Sequence, residues 1–176
     1  RLWGRLRRPF AVQWEARFNK PYLSAGAFTG AGDVVWRQAV KSEKATGGKG
    51  KKGVACTVLW DLHKFYESIK LDALQSRCDD LGFPLAISRL CMTAYRGARF
   101  FSISGIVKGL YFAWQGVVAG DFFATTFVRV FAMPTADLLP QRVRDALDIY
   151  IDDYGLQATG TARSVVYDIV SGATQL

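Results

Sequence analysis

The sequence predicts an α+β domain in which an antiparallel sheet is backed by helices. Residues 54–62 form a nearly continuous apolar run rich in strand formers, and residues 148–160 set Asp152 and Asp153 between two short apolar runs, as in a tight hairpin. Helical periodicity covers much of the remaining chain. Half of the 176 residues are hydrophobic, which is enough to bury the core of one domain.

The first part of the chain is predicted to be helical. Residues 1–18 interleave arginines with apolar side chains, and Pro9 predicts a helix, a break and a second helix. The basic face is either a surface for phosphates or a solvated face over an apolar stripe. Residues 19–32 are predicted as a loop, and Asp33 as the N-cap of a helix that ends near Ala45.

Basic residues outnumber acidic ones by 23 to 15, giving a net charge of +8. This excess favours a polyanionic partner, nucleic acid first. It is concentrated at Arg1, Arg5, Arg7 and Arg8 and in the loop TGGKGKKG, residues 46–53. The loop resembles a phosphate cradle in composition, but it lacks the residue order of a P-loop.

Strands and helices alternate through the rest of the chain. The run 54–62 is predicted as a strand buried on both faces, because apolar residues do not alternate with polar ones. The predicted elements that follow are a helix over 63–82, a helix from Pro84 to about Tyr95, a hairpin around Gly105, a helix from about Asp121 to Leu138, the hairpin of 148–160 and a final helix capped by Thr161.

The three cysteines lack the paired spacing of a zinc site and are predicted to be buried thiols. The single histidine, His63, is expected at a helix start rather than on a metal. No apolar run reaches about 20 residues and no signal-peptide pattern opens the chain, so we expect an intracellular protein, nuclear or cytoplasmic, neither secreted nor in a membrane. A first residue other than Met and an uncapped last helix suggest part of a longer enzyme or polyprotein.

Three aspartates form the candidate site. Asp61 ends the predicted buried strand, where it is either an N-cap or a ligand for a metal or substrate. Asp152 and Asp153 repel each other, which suggests a divalent cation, although Asp is also common in turns. If these two elements meet in space, they could hold two Mg²⁺ or Mn²⁺ ions for an in-line displacement.

Three segments, in this order, resemble motifs of the reverse transcriptases. TVLWDLHKFYESI is similar to their first catalytic motif, with Asp61 as its acid. Gly116 to Gly120, leading into DFFATTFVRVF, resembles the Gly-Leu-Pro-Gln-Gly motif and its helix. Tyr150-Ile151-Asp152-Asp153 resembles the Tyr-x-Asp-Asp motif. The resemblance spans about residues 25–160 and is closest to enzymes of retrotransposon or retrointron type.

The resemblance implies a polymerase palm over residues 54–176, preceded by part of the fingers over residues 1–53 and lacking the thumb. The implied activity is RNA-dependent DNA polymerisation, the transfer of nucleotides to a DNA primer on an RNA template. Its implied substrates are deoxynucleoside triphosphates, and its implied cofactor is Mg²⁺ or Mn²⁺.

The resemblance also implies residue roles. Asp61 and Asp152 would be the main catalytic metal ligands, with Asp153 adjacent and Leu62 contributing its backbone. The residues implied in nucleotide binding are His63, Lys64, Phe65, Tyr66, Gly120 and Tyr150. The residues implied in nucleic-acid binding are Arg7, Arg8, Lys20, Arg37, Lys51, Gly116 and Ala119. Tyr66 stands where the family excludes a 2′-hydroxyl, or it is an ordinary core aromatic.

The chain departs from the family at two places. Ala119 replaces the Gln of the glycine-rich motif, and Thr29 with Ala31 or Gly32 stand where arginines are expected. Three other functions stay open: an RNA-dependent RNA polymerase, a catalytically silent nucleic-acid-binding remnant of the same fold, and another two-metal nucleotidyl reaction such as cyclisation.

Overall fold

The computed structural model describes residues 2–25, 30–47 and 53–175, and it confirms the α+β class with small antiparallel sheets backed by helices. The elements are α1 (Leu2–Arg17), α2 (Ala31–Thr46), β1 (Val54–Asp61), α3 (Phe65–Ser68), α4 (Leu71–Asp80), α5 (Leu85–Arg96), β2 (Arg99–Ile103), β3 (Ile106–Tyr111), α6 (Ala124–Asp137), α7 (Gln141–Ala146), β4 (Leu147–Tyr150), β5 (Asp153–Gly160) and α8 (Ala162–Ala173).

The chain divides into two compact units. Unit 1 contains Arg1–Arg17 and Lys64–Phe131, and unit 2 contains Phe18–His63 and Ala132–Leu176. Each unit is therefore built from two separate stretches of the chain. The division into partial fingers (1–53) and palm (54–176) concerns function and stays a prediction.

Unit 2 contains a three-stranded antiparallel sheet in the order β1, β5, β4. The central strand β5 is buried over residues 155–158, whereas no residue of β1 is buried and Leu59 is 69% exposed. The prediction of a strand at 54–62 is confirmed, but the prediction that both its faces are buried is wrong. From Cys56 to Asp61 half-buried and exposed residues alternate, so one face of β1 lies in solvent, which the apolar run could not reveal.

Two helices of unit 2 begin with identifiable caps. The N-cap of α2 is Gly30, not Asp33. Asp33 is the third residue of the helix, and its carboxylate accepts a hydrogen bond from the Gly30 N–H at 2.8 Å. The prediction for α8 is confirmed, since the Thr161 hydroxyl accepts the Ser164 N–H. Between them, α7 has only six residues and one buried side chain, too little for a periodic pattern.

In unit 1, α1 is one continuous helix, so the predicted break at Pro9 is wrong. The missing proline N–H is offset by packing on both sides of it. Before it, Gly4 lies so close to Phe122 that a Cβ would be 2.9 Å from the ring. After it, the Trp14 indole donates to the Leu81 carbonyl at 2.9 Å and meets the ring of Phe83 edge-on.

The core of unit 1 is formed by α4, α5 and the part of α6 up to Phe131, around Phe127, which contacts Phe83 and Tyr95 edge-on. The single helix predicted over 63–82 is instead α3 followed by α4. Ile69 between them has extended backbone, and its carbonyl accepts the Gly116 N–H at 2.8 Å. A long-range backbone pairing thus interrupts a stretch whose local periodicity is helical.

The remaining predictions concern a hairpin, the thiols and the membrane. β2 and β3 form the predicted hairpin, with Ser104 and Gly105 both left-handed, as a type I′ turn requires. Cys78 and Cys91 are buried and Cys56 is half-buried, and all three are unbridged. None of the described helices has the length and apolar character needed to cross a membrane.

Candidate active site

The hairpin of β4 and β5 carries Asp152 and Asp153 at its turn. Tyr150 pairs with Asp153, so the turn consists of Ile151 and Asp152 alone. Ile151 has a φ of 60°, a left-handed conformation that is rare for a β-branched residue and costs about 1–2 kcal/mol. The two-residue turn imposes this strain, and it fixes where the two acids leave the backbone.

The end of β1 meets this turn. Asp61 is the direct antiparallel partner of Asp153, and the Leu62 N–H donates to the Asp152 carbonyl at 3.0 Å. Directly opposite residues share a sheet face, with Cβ atoms about 4.5–5.5 Å apart. The backbone thus brings Asp61, Asp152 and Asp153 together at one end of the sheet, with Leu62 and Tyr150 beside them.

None of these three aspartates forms an ion pair with any residue in the described ranges. By contrast, Asp137 and Asp148 of the same unit are both paired, Asp137 with Lys20 at 3.0 Å and Asp148 with Arg37 at 3.2 Å. Asp61 and Asp153 are exposed and Asp152 is half-buried. Their charges are therefore open to a cation from outside the protein.

The donor chemistry of this trio suits Mg²⁺ or Mn²⁺, which prefer hard carboxylate oxygens. Within residues 2–25, 30–47 and 53–175, however, no three His, Cys, Asp or Glu side chains converge as metal ligands. The backbone pairing thus places the three aspartates near one another, but their carboxylates do not point to a common metal position. Binding an ion at about 2.0–2.1 Å would require the exposed carboxylates to rotate towards one another.

An ion pair between a buried aspartate and a half-exposed arginine supports the hairpin. Asp148 is 5% exposed, and the Arg37 guanidinium reaches both its carboxylate and the Ser24 hydroxyl, the latter at 2.6 Å. The Ser24 N–H donates to the Ile149 carbonyl at 2.9 Å, and the Ile149 N–H donates to the Tyr22 carbonyl at 2.7 Å. Sequence reasoning missed Asp148; its only signal was a charged residue in an otherwise apolar run.

Two of the residues predicted to bind nucleic acid are thus engaged inside unit 2, Lys20 with Asp137 and Arg37 with Asp148. Arg7 and Arg8 are exposed on α1, about 6 Å from the rings of Phe10 and Phe122 respectively. Ala119 is exposed as well. Lys51 lies outside the described residues.

The predicted nucleotide-binding segment belongs mostly to unit 1. Exposed His63 ends unit 2, and Lys64, with φ 53° and ψ 40°, is the left-handed residue before α3. Within α3, the Tyr66 carbonyl accepts the Val117 N–H at 2.9 Å. Phe65 and Tyr66 are half-buried. Backbone hydrogen bonds therefore fix the glycine-rich turn to the segment that follows Asp61 in the sequence.

Two glycines give this turn its shape. Gly116 has a φ of 99°, and a Cβ there would lie 3.5 Å from the Glu67 Cα. Gly120 has a φ of 81° and open space around it. Both positions favour glycine for its backbone freedom.

No protein-family model and no curated protein matches the sequence. Among solved structures, the chain is similar to apo telomerase from Candida tropicalis truncated from the C-terminal domain, with a TM-score of 0.66 at 12% identity. The match covers 97% of this chain and 36% of that chain. At this identity the likeness supports a reverse-transcriptase-like fold and nothing finer. The retrotransposon or retrointron type stays a prediction.

Proposed function

We propose that this chain catalyses template-directed nucleotidyl transfer as an RNA-dependent DNA polymerase. The observation that carries the proposal is the pairing of Asp61 with Asp153, beside Asp152 in the turn, in a chain with a polymerase-like fold. Three carboxylates that have no ion-pair partner in the described part of the chain repel one another at one sheet end and gain nothing for the core. A site for divalent cations gives this arrangement a purpose.

In this proposal Asp61, Asp152 and Asp153 hold Mg²⁺ or Mn²⁺, which when bound supplies activation of the primer 3′-hydroxyl and charge neutralisation at the leaving pyrophosphate. The strained Ile151 turn and the Arg37–Asp148 pair position the carboxylates and do not take part in the chemistry. Leu62 fixes the end of β1 through its hydrogen bond to Asp152.

The other roles follow from the resemblance to reverse transcriptases. His63, Lys64 and Phe65 bind the triphosphate, with Gly120 and Tyr150 near the nucleotide, and Tyr66 excludes the 2′-hydroxyl. Gly116 and Ala119 approach the template. Among the predicted phosphate contacts, the exposed Arg7 and Arg8 are better suited than Lys20 and Arg37, whose charges are already paired. The partners are an RNA template with a DNA primer, and further parts of a longer chain.

The test is incorporation of single nucleotides by this chain on a DNA primer annealed to an RNA template, with Mg²⁺. The proposal expects deoxynucleotides to be incorporated and ribonucleotides to be rejected. It also expects Tyr66→Ala to admit ribonucleotides, whereas Tyr167→Ala, which removes an exposed ring of α8, does not. Preferential use of ribonucleotides by the wild-type chain would point to an RNA-dependent RNA polymerase instead.

A second candidate is a catalytically silent nucleic-acid-binding domain of the same fold. The observation that favours it is that the carboxylates in the described part of the chain do not converge as metal ligands. A silent domain binds the primer and template and incorporates neither kind of nucleotide with either metal ion.

A further inference from the structure

The hairpin of β2 and β3 in unit 1 carries large apolar side chains into solvent. No residue of either strand is buried. Five aromatic residues in and just after the hairpin are between 47% and 80% exposed, namely Phe100, Phe101, Tyr111, Phe112 and Trp114. Exposed aromatic clusters of this kind mark interaction sites more often than isolated apolar residues do.

Four of its side chains share one face. Phe101 is paired with Lys108 and Arg99 with Tyr111 across the two strands, and directly paired residues project from the same side. The rings of Phe101 and Tyr111 have centroids 5.0 Å apart and meet edge-on. We call Arg99, Phe101, Lys108 and Tyr111 the aromatic-basic face.

A glycine fixes one of the rings. The register of the hairpin shifts between Arg99 and Phe101, and Gly109 on the facing strand has a φ of 65°. A Cβ at Gly109 would lie 2.7 Å from the Tyr111 ring. The Tyr111 ring therefore lies across the backbone at Gly109 and against Phe101, which orders it before any ligand binds.

Charge indicates what binds there. Residues 81–120 contain four basic residues and no acidic residue. Arg96 is paired with Asp72, and Arg99 donates one hydrogen bond to the Tyr95 carbonyl, which leaves its other donors for a ligand. A second copy of this chain would set these positive charges against each other, whereas a polyanion would complement them. Aromatic rings beside cations are the elements that bind single-stranded nucleic acid.

We propose that the aromatic-basic face binds a single-stranded stretch of nucleic acid, with bases stacked on Phe101 and Tyr111 and phosphates held by Arg99 and Lys108. Bases in a duplex are already stacked, so the face selects unpaired strands. The proposal rests on the proposed function only in treating that strand as template; the binding itself needs neither metal nor nucleotide.

The experiment measures fluorescence anisotropy of labelled single-stranded oligonucleotides in EDTA. A second oligonucleotide of the same length has abasic sites throughout, so that it presents the same phosphates without bases. The wild-type chain is expected to prefer the base-bearing strand. Phe101→Leu/Tyr111→Leu keeps apolar bulk on the hairpin and should weaken that binding by about tenfold or more, because base stacking is worth about 1–3 kcal/mol per base. Abasic binding should change little.

The matched control is Tyr167→Leu, which removes an exposed ring from α8 and should leave both affinities unchanged. Lys108→Gln should lower the slope of log K against log salt by about 0.7, the loss of one phosphate contact on a single strand. Arg163→Gln removes an equal charge from exposed α8 and should leave the slope unchanged. Circular dichroism checks that each variant keeps its fold.

Equal wild-type affinity for the abasic and base-bearing strands would overturn the proposal. A second result would also overturn it: sedimentation shows that the wild-type chain is a dimer, and the double leucine variant is a monomer that still binds the oligonucleotide as tightly. The two proposals fail separately. A chain that binds bases at this face but extends no primer contradicts the polymerase proposal alone, and one that extends primers with base-independent binding contradicts the stacking proposal alone.

Discussion

Asp61 stands directly opposite Asp153 in the antiparallel pair of β1 and β5. Like charges in opposite positions destabilise a sheet, and neither carboxylate has a cationic partner among the described residues. The pair therefore lowers stability unless a cation joins it.

Asp153→Asn should stabilise the protein in EDTA by about 0.2–1 kcal/mol, because it removes the cross-strand repulsion. Millimolar Mg²⁺ should stabilise the wild-type chain and reduce the advantage of the variant. Urea denaturation with and without Mg²⁺ measures both effects. Glu43→Gln, at an exposed position of α2, is the control and should show neither effect. An Asp153→Asn variant less stable than wild type in EDTA would contradict this account of the pair.

The glycine-rich turn should be sensitive to a single methyl group. Gly120→Ala is expected to destabilise the protein by about 1–2 kcal/mol, because alanine is strained at a φ of 81° although space around it is open. Gly32→Ala, in open space within α2, should instead stabilise it by about 0.4–1 kcal/mol. Denaturation midpoints of the two variants measure this contrast; the same sign of change in both would show that backbone conformation does not govern these sites.

Breaking a buried ion pair in unit 1 should destabilise the protein more than the glycine substitutions do. Arg129 and Glu15 are 5% and 6% exposed with 3.5 Å between their charged atoms, and the Thr126 hydroxyl donates to the Glu15 carboxylate. Burial lowers the pKa of Arg129, and Glu15 opposes this. Glu15→Gln leaves the guanidinium uncompensated, so we expect a loss of about 3–5 kcal/mol.

The matched control for that loss is a half-exposed pair in unit 2. Arg142 and Asp168 are 3.8 Å apart, and Asp168→Asn should cost at most about 1 kcal/mol. Chemical denaturation of both variants gives the two values. Similar losses at the two sites would refute the distinction between buried and exposed pairs.

The buried thiols should make the stability of the protein depend on pH. Burial raises the pKa of Cys78 and of Cys91 to about 12, with Asp79 and Asp121 respectively adding to the effect. The folded state therefore keeps these protons after the unfolded thiols, whose ordinary pKa is 9.0, have lost theirs. Their contribution to stability is complete below pH 9 and is lost as the pH rises to about 12.

The half-buried Cys56 should react with iodoacetamide in the native protein, while the buried Cys78 and Cys91 react at the rate of unfolding. Mass spectrometry of labelled peptides measures the three rates. Labelling of Cys91 as fast as Cys56 would contradict its burial.

Local patterns predicted the parts of the fold that short-range chemistry determines. The Ser104-Gly105 turn and the Thr161 cap depend on residues within a few positions, and both are present. The errors arose where distant residues decide. The exposure of one face of β1 depends on what distant elements pack against it, and the interruption of a helix at Ile69 depends on a partner 47 positions away, Gly116.

The candidate site shows the same division. The sequence predicted all three aspartates as candidate site residues, and the resemblance ranked Asp152 above Asp153; these roles stay predictions. The sequence could not predict that Asp153 is the partner of Asp61, because β1 and β5 lie far apart in the chain and no connecting turn sets the register between them. Nor could it show that Lys20 and Arg37 form internal ion pairs, since their acids, Asp137 and Asp148, lie more than 100 residues away.

We propose that Asp61, Asp152 and Asp153 serve nucleotidyl transfer. The most direct measurement is primer extension on an RNA template by the wild-type chain and by Asp61→Asn, Asp152→Asn and Asp153→Asn, with Glu43→Gln as control. We predict a loss of about 100-fold or more in the first two variants and a clear loss in Asp153→Asn, with unchanged primer-template binding and a fully active control. Extension at the wild-type rate by Asp61→Asn, or none by a wild-type chain that binds the primer and template, would contradict the claim.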